Sequence, residues 1–356
     1  MTKIKKFITA LAFFLIVIGI KTEYPLAVPT TGADFIVTPN HDLTPNSDSN
    51  RKNNLWINVK SVDQPLVFNI DNKSSDAREF LITANTAYTG IDGQIHYDLA
   101  VPRLDRTLVY NFRYFVQNND QRVKVPAKTK KSFRLNLKIP DTESYHGQVL
   151  GAITVIELTK QDQTNNKGKT NIVNHFSIGF PVALNFGGSE IPVNSAETPF
   201  KIGTIQPGFG LRGGLAILTE LRNTKPAQIL DFNLDGKITA KGKNKVLFRS
   251  KQNLLAMAPN SIYNYQLYWT TKDGFKAGHY HLSLAIKVPG NPAKTYHLGK
   301  DFTVTPSQAE KFNRKIGIKP NYLWLYIIIA IIVLLLLLLL TFLISRHQRN
   351  KSLREK

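Results

Sequence analysis

The chain has 356 residues, with 46 Lys or Arg against 25 Asp or Glu, a formal net charge of +21, and no cysteine. Without cysteine there are no disulfides, thiolate nucleophiles, Cys-ligated zinc sites or iron–sulfur clusters. A basic balance of this size attracts polyanions.

The chain opens with Lys3, Lys5 and Lys6, followed by an apolar stretch over 7–20. That stretch is short for a membrane-spanning helix and right for the h-region of a secretion signal. Residues 1–30 are therefore read as a signal peptide, with Ala27 and Ala33 as candidate cleavage positions and an uncleaved anchor as the alternative.

From residue 33 to residue 319 the dominant pattern is period-two alternation, the mark of strands with one buried face. Leu66, Phe68 and Ile70 form one apolar row, and Phe133, Leu135, Leu137 and Ile139 form another. The segment 279–286 alternates in the same way. Turn signals recur at Tyr88-Thr89-Gly90, Asp92-Gly93, Asp235-Gly236 and Asp273-Gly274. Many short strands so spaced predict an all-β chain of two immunoglobulin-like β-sandwich domains in tandem, over 34–160 and 171–306. The polar run 159–171 is read either as a linker or as a hairpin tip. Strong strands flank it, which favours the tip, with entry into the second domain near Ile191-Pro192-Val193.

The two halves share a spacing. A strand ends at Asn72 in the first and at Asn223 in the second. Val125-Pro126-Ala127-Lys128 then opens a strand in one half and Ala258-Pro259-Asn260-Ser261 in the other. The first half carries an extra stretch of roughly twenty residues around 88–108, as an insertion into a shared sandwich topology would. Chance likeness between β-sandwiches is the competing account.

Chemistry-bearing constellations are weak. His279 and His281 share one strand face and could share a metal, but no third ligand lies nearby in sequence. Asp231, Asp235 and Gly236 lack the order of a calcium loop and read as a plain turn. The glycine-rich 206–214 segment precedes no helix and reads as a flexible loop. No Gly-x-Ser-x-Gly elbow occurs, and the carboxylates are scattered. Tyr110, Phe112 and Tyr114 fall on one face of a predicted strand, and Tyr263, Tyr265, Leu267 and Trp269 on another. Stacking on sugar rings and packing in a core both fit such rows. The segment 171–185 reads as an edge strand ending at Pro181, a position where a missing donor costs nothing. It is a candidate docking edge near the domain junction.

Near the C-terminus an uncharged run covers 322–344, enough to cross a ~30 Å hydrocarbon core as a helix. Tyr322, Trp324 and Tyr326 stand at one end, where aromatic rings favour the headgroup region. Arg346, Arg349, Lys351, Arg354 and Lys356 follow, so 345–356 is expected to be a cytoplasmic tail. No LPxTG-like sorting motif precedes the span. With signal and tail removed, about +14 remains on the exterior part. Anionic wall polymers would feel that field, although a dispersed solubilising surface accounts for it equally well.

Several segments carry a family likeness. Asp34-Phe35-Ile36-Val37-Thr38-Pro39 and the segment 81–97 (LITANTAYTGIDGQIHY) stand in the first half. AMAPNSIYNYQLYW over 256–269, Lys276-Ala277-Gly278-His279-Tyr280, Asp301-Phe302-Thr303-Val304 and Ala309-Glu310-Lys311-Phe312-Asn313 follow in order in the second. Together these resemble the WxL-interacting proteins of low-GC Gram-positive bacteria. The resemblance implies a peptidoglycan-binding domain, then a host-binding domain, with a secreted WxL protein as partner. The expected function is a membrane-anchored surface adaptor, not an enzyme, that binds a WxL protein and the wall, with host matrix as a further partner. It needs no cofactor and no nucleic acid. Tyr88, Tyr97, Tyr110, Tyr114 and Trp269 are the candidate binding residues. The alternative is a wall hydrolase whose carboxylates cannot be paired from sequence.

Overall fold

The computed structural model describes residues 34–50, 54–140, 145–158, 176–187, 198–290, 293–318 and 323–352. The expected signal peptide, the 159–171 run, the entry at 191–193 and the last residues of the tail lie outside them.

The apolar rows become strands with one face inward. The first sandwich stacks two sheets. One has the order β1 (Phe35–Pro39), β3 (Asp63–Asn72), β9 (Lys130–Lys138), β7 (Val116–Gln117). The other runs β2 (Leu55–Asn58), β11 (Ser177–Asn185), β10 (Gln148–Leu158), β4 (Arg78–Thr86), β8 (Gln121–Val125). Phe68 pairs in register with Phe133 and Leu66 with Leu135, so the two predicted rows meet as neighbours. Phe35, Phe80, Ile82, Phe112 and Ile153 fill the space between the sheets.

The β11 strand corrects one expectation. It pairs antiparallel with β10 from Gln148↔Asn185 to Ile156↔Ser177, and parallel with β2 over Val182–Asn185. It continues through Pro181, opposite Ala152, so its second half is an interior strand and not a free edge. Its place in the sheet also puts 177–185 in the first sandwich, beyond the expected boundary at 171. The neighbour of Pro181 matters less than its face, because burial of Val182 and Leu184 fixes the register.

The predicted aromatic strand is also different. Phe112–Phe115 is a single helical turn, α1, capped by the Asn111 side chain, which accepts from the Arg113 amide. Helical spacing points Phe112 and Phe115 inward together and leaves Tyr114 82% exposed. Gly151 on β10 lies under the Phe112 ring, where no Cβ would fit.

The second sandwich pairs the sheet β12 (Phe200–Phe209), β13 (Leu215–Asn223), β16 (Ser261–Tyr268) with the sheet β15 (Val246–Met257), β14 (Ile229–Ala240), β17 (Gly278–Val288), β18 (Lys294–Val304). Two turn expectations fail here. Asp235-Gly236 lies inside β14, paired on both sides. Gly236 serves packing, since the Tyr265 ring occupies the space where its Cβ would stand. Residues 206–209 belong to β12, and only Gly210–Gly214 turns, closed by the Gly210 amide on the Gly214 carbonyl at 2.8 Å.

The shared spacing of the halves has a structural counterpart. Asn72 is fully buried at the end of β3. Its amide donates to the carbonyls of Asp76, Val125 and Pro126, and its oxygen accepts from the Ser74 amide. Asn223 is fully buried at the end of β13. It donates to the carbonyls of Ala227 and Ala258 and accepts from the Lys225 amide. In both halves the side chain bonds the carbonyl four residues on and the amide two residues on, and ties the strand end to the residue before a proline. Each is a fully partnered buried polar knot of the kind that fixes one arrangement.

Two further helices follow. The α2 helix (Pro306–Lys315) begins with a capping box between Thr305 and Gln308 and has Pro306 in its first turn. The signal for this start is the Thr-Pro-Ser-Gln run itself, Thr305 to Gln308. Phe312 meets Phe209 and Phe275 edge-on, and the Asn313 side chain bonds both the amide and the carbonyl of Phe275. So α2 plugs one end of the second sandwich. The α3 helix (Leu323–Ser352) contains a 20-residue stretch, Tyr326–Ser345, long and apolar enough to cross a membrane, with none of it buried against the protein. Its Thr341 hydroxyl donates to the Leu338 carbonyl at 2.8 Å, leaving no free donor on that side chain.

Candidate functional site

The insertion expected at 88–108 turns out to be the joint between the domains. It forms the short hairpin β5 (Tyr88–Thr89) and β6 (Ile95–His96), with Gly93 at positive φ (74°) in its turn. The hairpin lies against the second sandwich. The Ala256 amide donates to the Gly93 carbonyl at 2.8 Å, and Gln94 Nε2 donates to the Leu254 carbonyl at 2.9 Å. Thr89 Oγ1 accepts from the Ala258 amide and lies 2.6 Å from Ser261 Oγ. Gln266 Nε2 donates to the Ile91 carbonyl at 3.3 Å. From the first sandwich itself, the Gln148 amide donates to the Pro226 carbonyl at 2.7 Å. Gly147 allows that approach: its φ is +144°, and a Cβ there would stand 2.6 Å from Pro226. A small cluster of Ala87, Leu150, Ala183 and Ala258 closes the seam.

Two ion pairs cross the same seam. Arg222 Nε stands 2.5 Å from Asp105 Oδ2 and Nη2 stands 2.8 Å from Oδ1, the bidentate geometry in which guanidinium and carboxylate match. Burial pushes the Asp105 carboxyl up, but the Arg222 hydrogen bonds and charge, with the Thr107 amide and hydroxyl, outweigh it and hold it below its ordinary range. Arg103 pairs with Glu220 at 2.5 Å. Burial again pushes Glu220 up, and the Thr204 amide and Arg103 bring it below its ordinary range. A groove of about 660 Å³ opens beside these pairs, lined among others by Arg103, Asp105, Glu220, Lys300 and Asp301. Lys300 Nζ donates to the Gly203 carbonyl, and Asp301 pairs with His281 and Lys241. Carboxylates held so firmly ionised are poor proton donors.

The five candidate aromatics separate. Tyr88 is on the hairpin and donates to Asp98 at 2.7 Å; burial and then Asp98 push its hydroxyl up to about 12. Tyr97 packs beside the seam cluster, and burial raises it to about 12. Tyr110 is half-buried, edge-on to Tyr145 at 4.9 Å. Tyr114 projects into solvent. Trp269 is a core residue, 5% exposed, donating from Nε1 to the Gly274 carbonyl, its ring tilted against Phe248 with the centroids 4.2 Å apart. The five do not meet at one place, and only Tyr114 offers an open ring. Sequence reasoning singled out no residue of the Asp105–Arg222 pair; a lone Asp in an insertion carries no local pattern.

The paired histidines also separate into surface partnerships. His281 Nδ1 lies 2.6 Å from Asp301 and His279 Nδ1 lies 3.0 Å from Thr303 Oγ1. Among the described residues no group of three or more His, Asp or Glu is placed to hold a metal ion.

Residues 35–157 match the family model described as WxL Interacting Protein, peptidoglycan binding domain, and residues 167–314 match WxL Interacting Protein, host binding domain. The chain belongs to the WxL-interacting protein family. The two matches stand in the order the sequence resemblance implied and cover most of the chain from residue 35 to the last helix. Both matched families are binding domains. In this WxL-interacting protein the host-binding match starts ahead of β11, although β11 is bonded into the first sandwich. No curated protein matches the chain. Among solved structures, the CupB2 chaperone of Pseudomonas aeruginosa is 12% identical, covering 68% of this chain and 95% of its own, with TM-score 0.28. The E. coli chaperone DraB is 12% identical, covering 71% and 94%, with TM-score 0.28. A Salmonella enterica SafA pilin complex with the SafB chaperone is 8% identical, covering 76% and 97%, with TM-score 0.29.

Proposed function

We propose that this WxL-interacting protein is a membrane-anchored cell-surface adaptor that binds a WxL-domain protein and the wall, with the second domain turned toward host surfaces. The observation that carries the reading is the tandem match of two binding-domain families on a chain whose domains are hydrogen-bonded into one unit through the 88–108 insertion. Recognition, not bond cleavage, is the mechanism. The apolar α3 helix supplies the anchor, and the basic residues after it favour a cytoplasmic C-terminus with both domains outside. The peptidoglycan-binding unit is taken to extend through β11, and the host-binding unit to begin after it.

The rival hydrolase finds little support at the groove, where Asp105, Glu220 and Asp301 are all tied to cations. Co-purification of the full chain from its native membrane tests the adaptor reading: a WxL-domain protein and peptidoglycan should come with it. Recovery of neither would remove the adaptor function. Lysis of purified wall in a zymogram would establish the hydrolase instead.

A further inference from the structure

The two outer faces of the second sandwich have different fates. The β12–β13–β16 sheet presents Glu220, Arg222, Ser261 and Gln266 to the insertion of the first domain. The β15–β14–β17–β18 sheet stays open over most of its length, and alternation sets polar side chains along it. Register places them in rows. Lys237 is flanked by Arg249 on one side and Ser283 on the other, with Gly299 next. Asp235 is flanked by Lys251 and Ala285, with His297 next. Lys287 stands opposite Asn233, at the end of the same face. The hairpin tip between β14 and β15 adds Lys241, Lys243 and Lys245.

The carboxylates within this array are already engaged. Asp235 accepts from Arg249, with Nε at 2.8 Å from Oδ1, and Asp301 is held by His281 and Lys241. Among the described residues Lys237, Lys251 and Lys287 make no salt bridge. Their neighbours across strands stand about 5 Å away and their neighbours along a strand about 7 Å. Between Lys237 and His297 runs a trough of about 400 Å³, floored by the small side chains of Ser283 and Ala285. Its two leucines, Leu284 and Leu298, pack into the sandwich core, so the trough exposes no large apolar anchor of the kind a protein partner's interface centre needs. Lys237 and Lys251 both lie close enough to Asp235 to act on its charge, but its hydrogen bonds go to Arg249, and a row of cations over a small-residue floor suits an extended chain with regularly spaced anions.

We infer that this open sheet face binds a linear sulfated polysaccharide, laid over the trough and the cations beside it, with its anionic groups on Lys237, Lys251 and Lys287. The inference deepens the host-binding reading of the second domain and rests on it. A sulfated chain supplies closely spaced charge to match the cation rows. The trough excludes bulk from its floor and admits a sugar backbone.

The test uses the full chain in detergent micelles and immobilised heparin as probe. The triple variant Lys237→Ala, Lys251→Ala, Lys287→Ala should bind heparin about tenfold more weakly, since three exposed charge contacts are removed. A control triple on the first domain, Lys124→Ala, Lys130→Ala, Lys131→Ala, has the same charge change and should bind as the unsubstituted chain does. Equal losses in the two triples would mean that net charge alone is responsible and would overturn the inference. So would unchanged binding of the sheet triple, or a face-dependent loss seen with poly(glycerol phosphate) and not with heparin. An unchanged thermal unfolding midpoint establishes that both triples are folded. Adhesion of the unsubstituted chain to host matrix is read separately. Adhesion that the sheet triple retains in full leaves the host-binding reading standing and defeats the inference. No adhesion by the unsubstituted chain defeats the reading.

Discussion

Arg222, on a strand of the second sandwich, and Asp105, in the insertion of the first, form a bidentate pair with the carboxylate fully enclosed and the guanidinium 14% exposed. The pair bridges 117 positions of sequence and stands at the edge of a seam otherwise held by backbone and side-chain hydrogen bonds, the Arg103–Glu220 pair and a small apolar cluster. Its effect is to fix how two binding domains face one another.

Asp105→Asn is expected to loosen that seam. It removes the charge that compensates a largely buried guanidinium, a change that costs about 3 kcal/mol at sites of this kind. Amide hydrogen exchange checks it: the Ala256 and Ala258 amides, which bond the insertion, should exchange faster, while those of β17 and of β10 beyond Gln148 should not. Uniform acceleration across both cores would show that the pair serves global folding and not the joint.

Acid should have the same effect through the same groups. Asp105 and Glu220 are both held below their ordinary values in the folded chain. Their stabilisation is therefore fully present above the unfolded carboxylate value of about 4 and is lost as pH falls through the lowered folded values. Exchange at Ala256 and Ala258 should stay slow from pH 7 to pH 5 and rise only in stronger acid. A loosening already complete at pH 5 would assign the joint to other groups.

Asn72→Ala and Asn223→Ala should each destabilise their own sandwich by about 2–3 kcal/mol, because each strands buried carbonyls and an amide. Denaturant unfolding followed by domain-specific exchange would show the effect confined to one half. If one substitution were neutral, the equivalence of the two knots would fail.

Truncation after Ile318 should leave a fragment that no longer sediments with membranes, since among the described residues Tyr326–Ser345 is the stretch long and apolar enough to cross one. Fractionation in high salt reads the outcome; a fragment that still pellets would require a second membrane contact.

The sequence by itself determined the all-β class, the apolar rows of β3, β9 and β17, the long apolar C-terminal helix and the tandem repeat. Each of these is written in local periodicity or in a run of apolar residues, and burial of one face leaves a strand no second register. The turn at Gly93 and the turn at Gly274 were legible for the same reason, since positive φ selects glycine. Tertiary structure alone decided the rest. Asp235-Gly236 reads as a turn, yet it runs straight through β14 because the Tyr265 ring needs the space a side chain would take. Tyr110, Phe112 and Tyr114 alternate as a strand would, but an Asn111 cap and the space over Gly151 wind them into one helical turn. The 171–185 segment looked like an edge because proline ends edges, whereas its neighbours β2 and β10 come from distant parts of the chain. The joint was least legible of all. Asp105 and Arg222 belong to separate domains, and an ion pair between them has no periodicity; only the docking of two finished sandwiches brings the charges together.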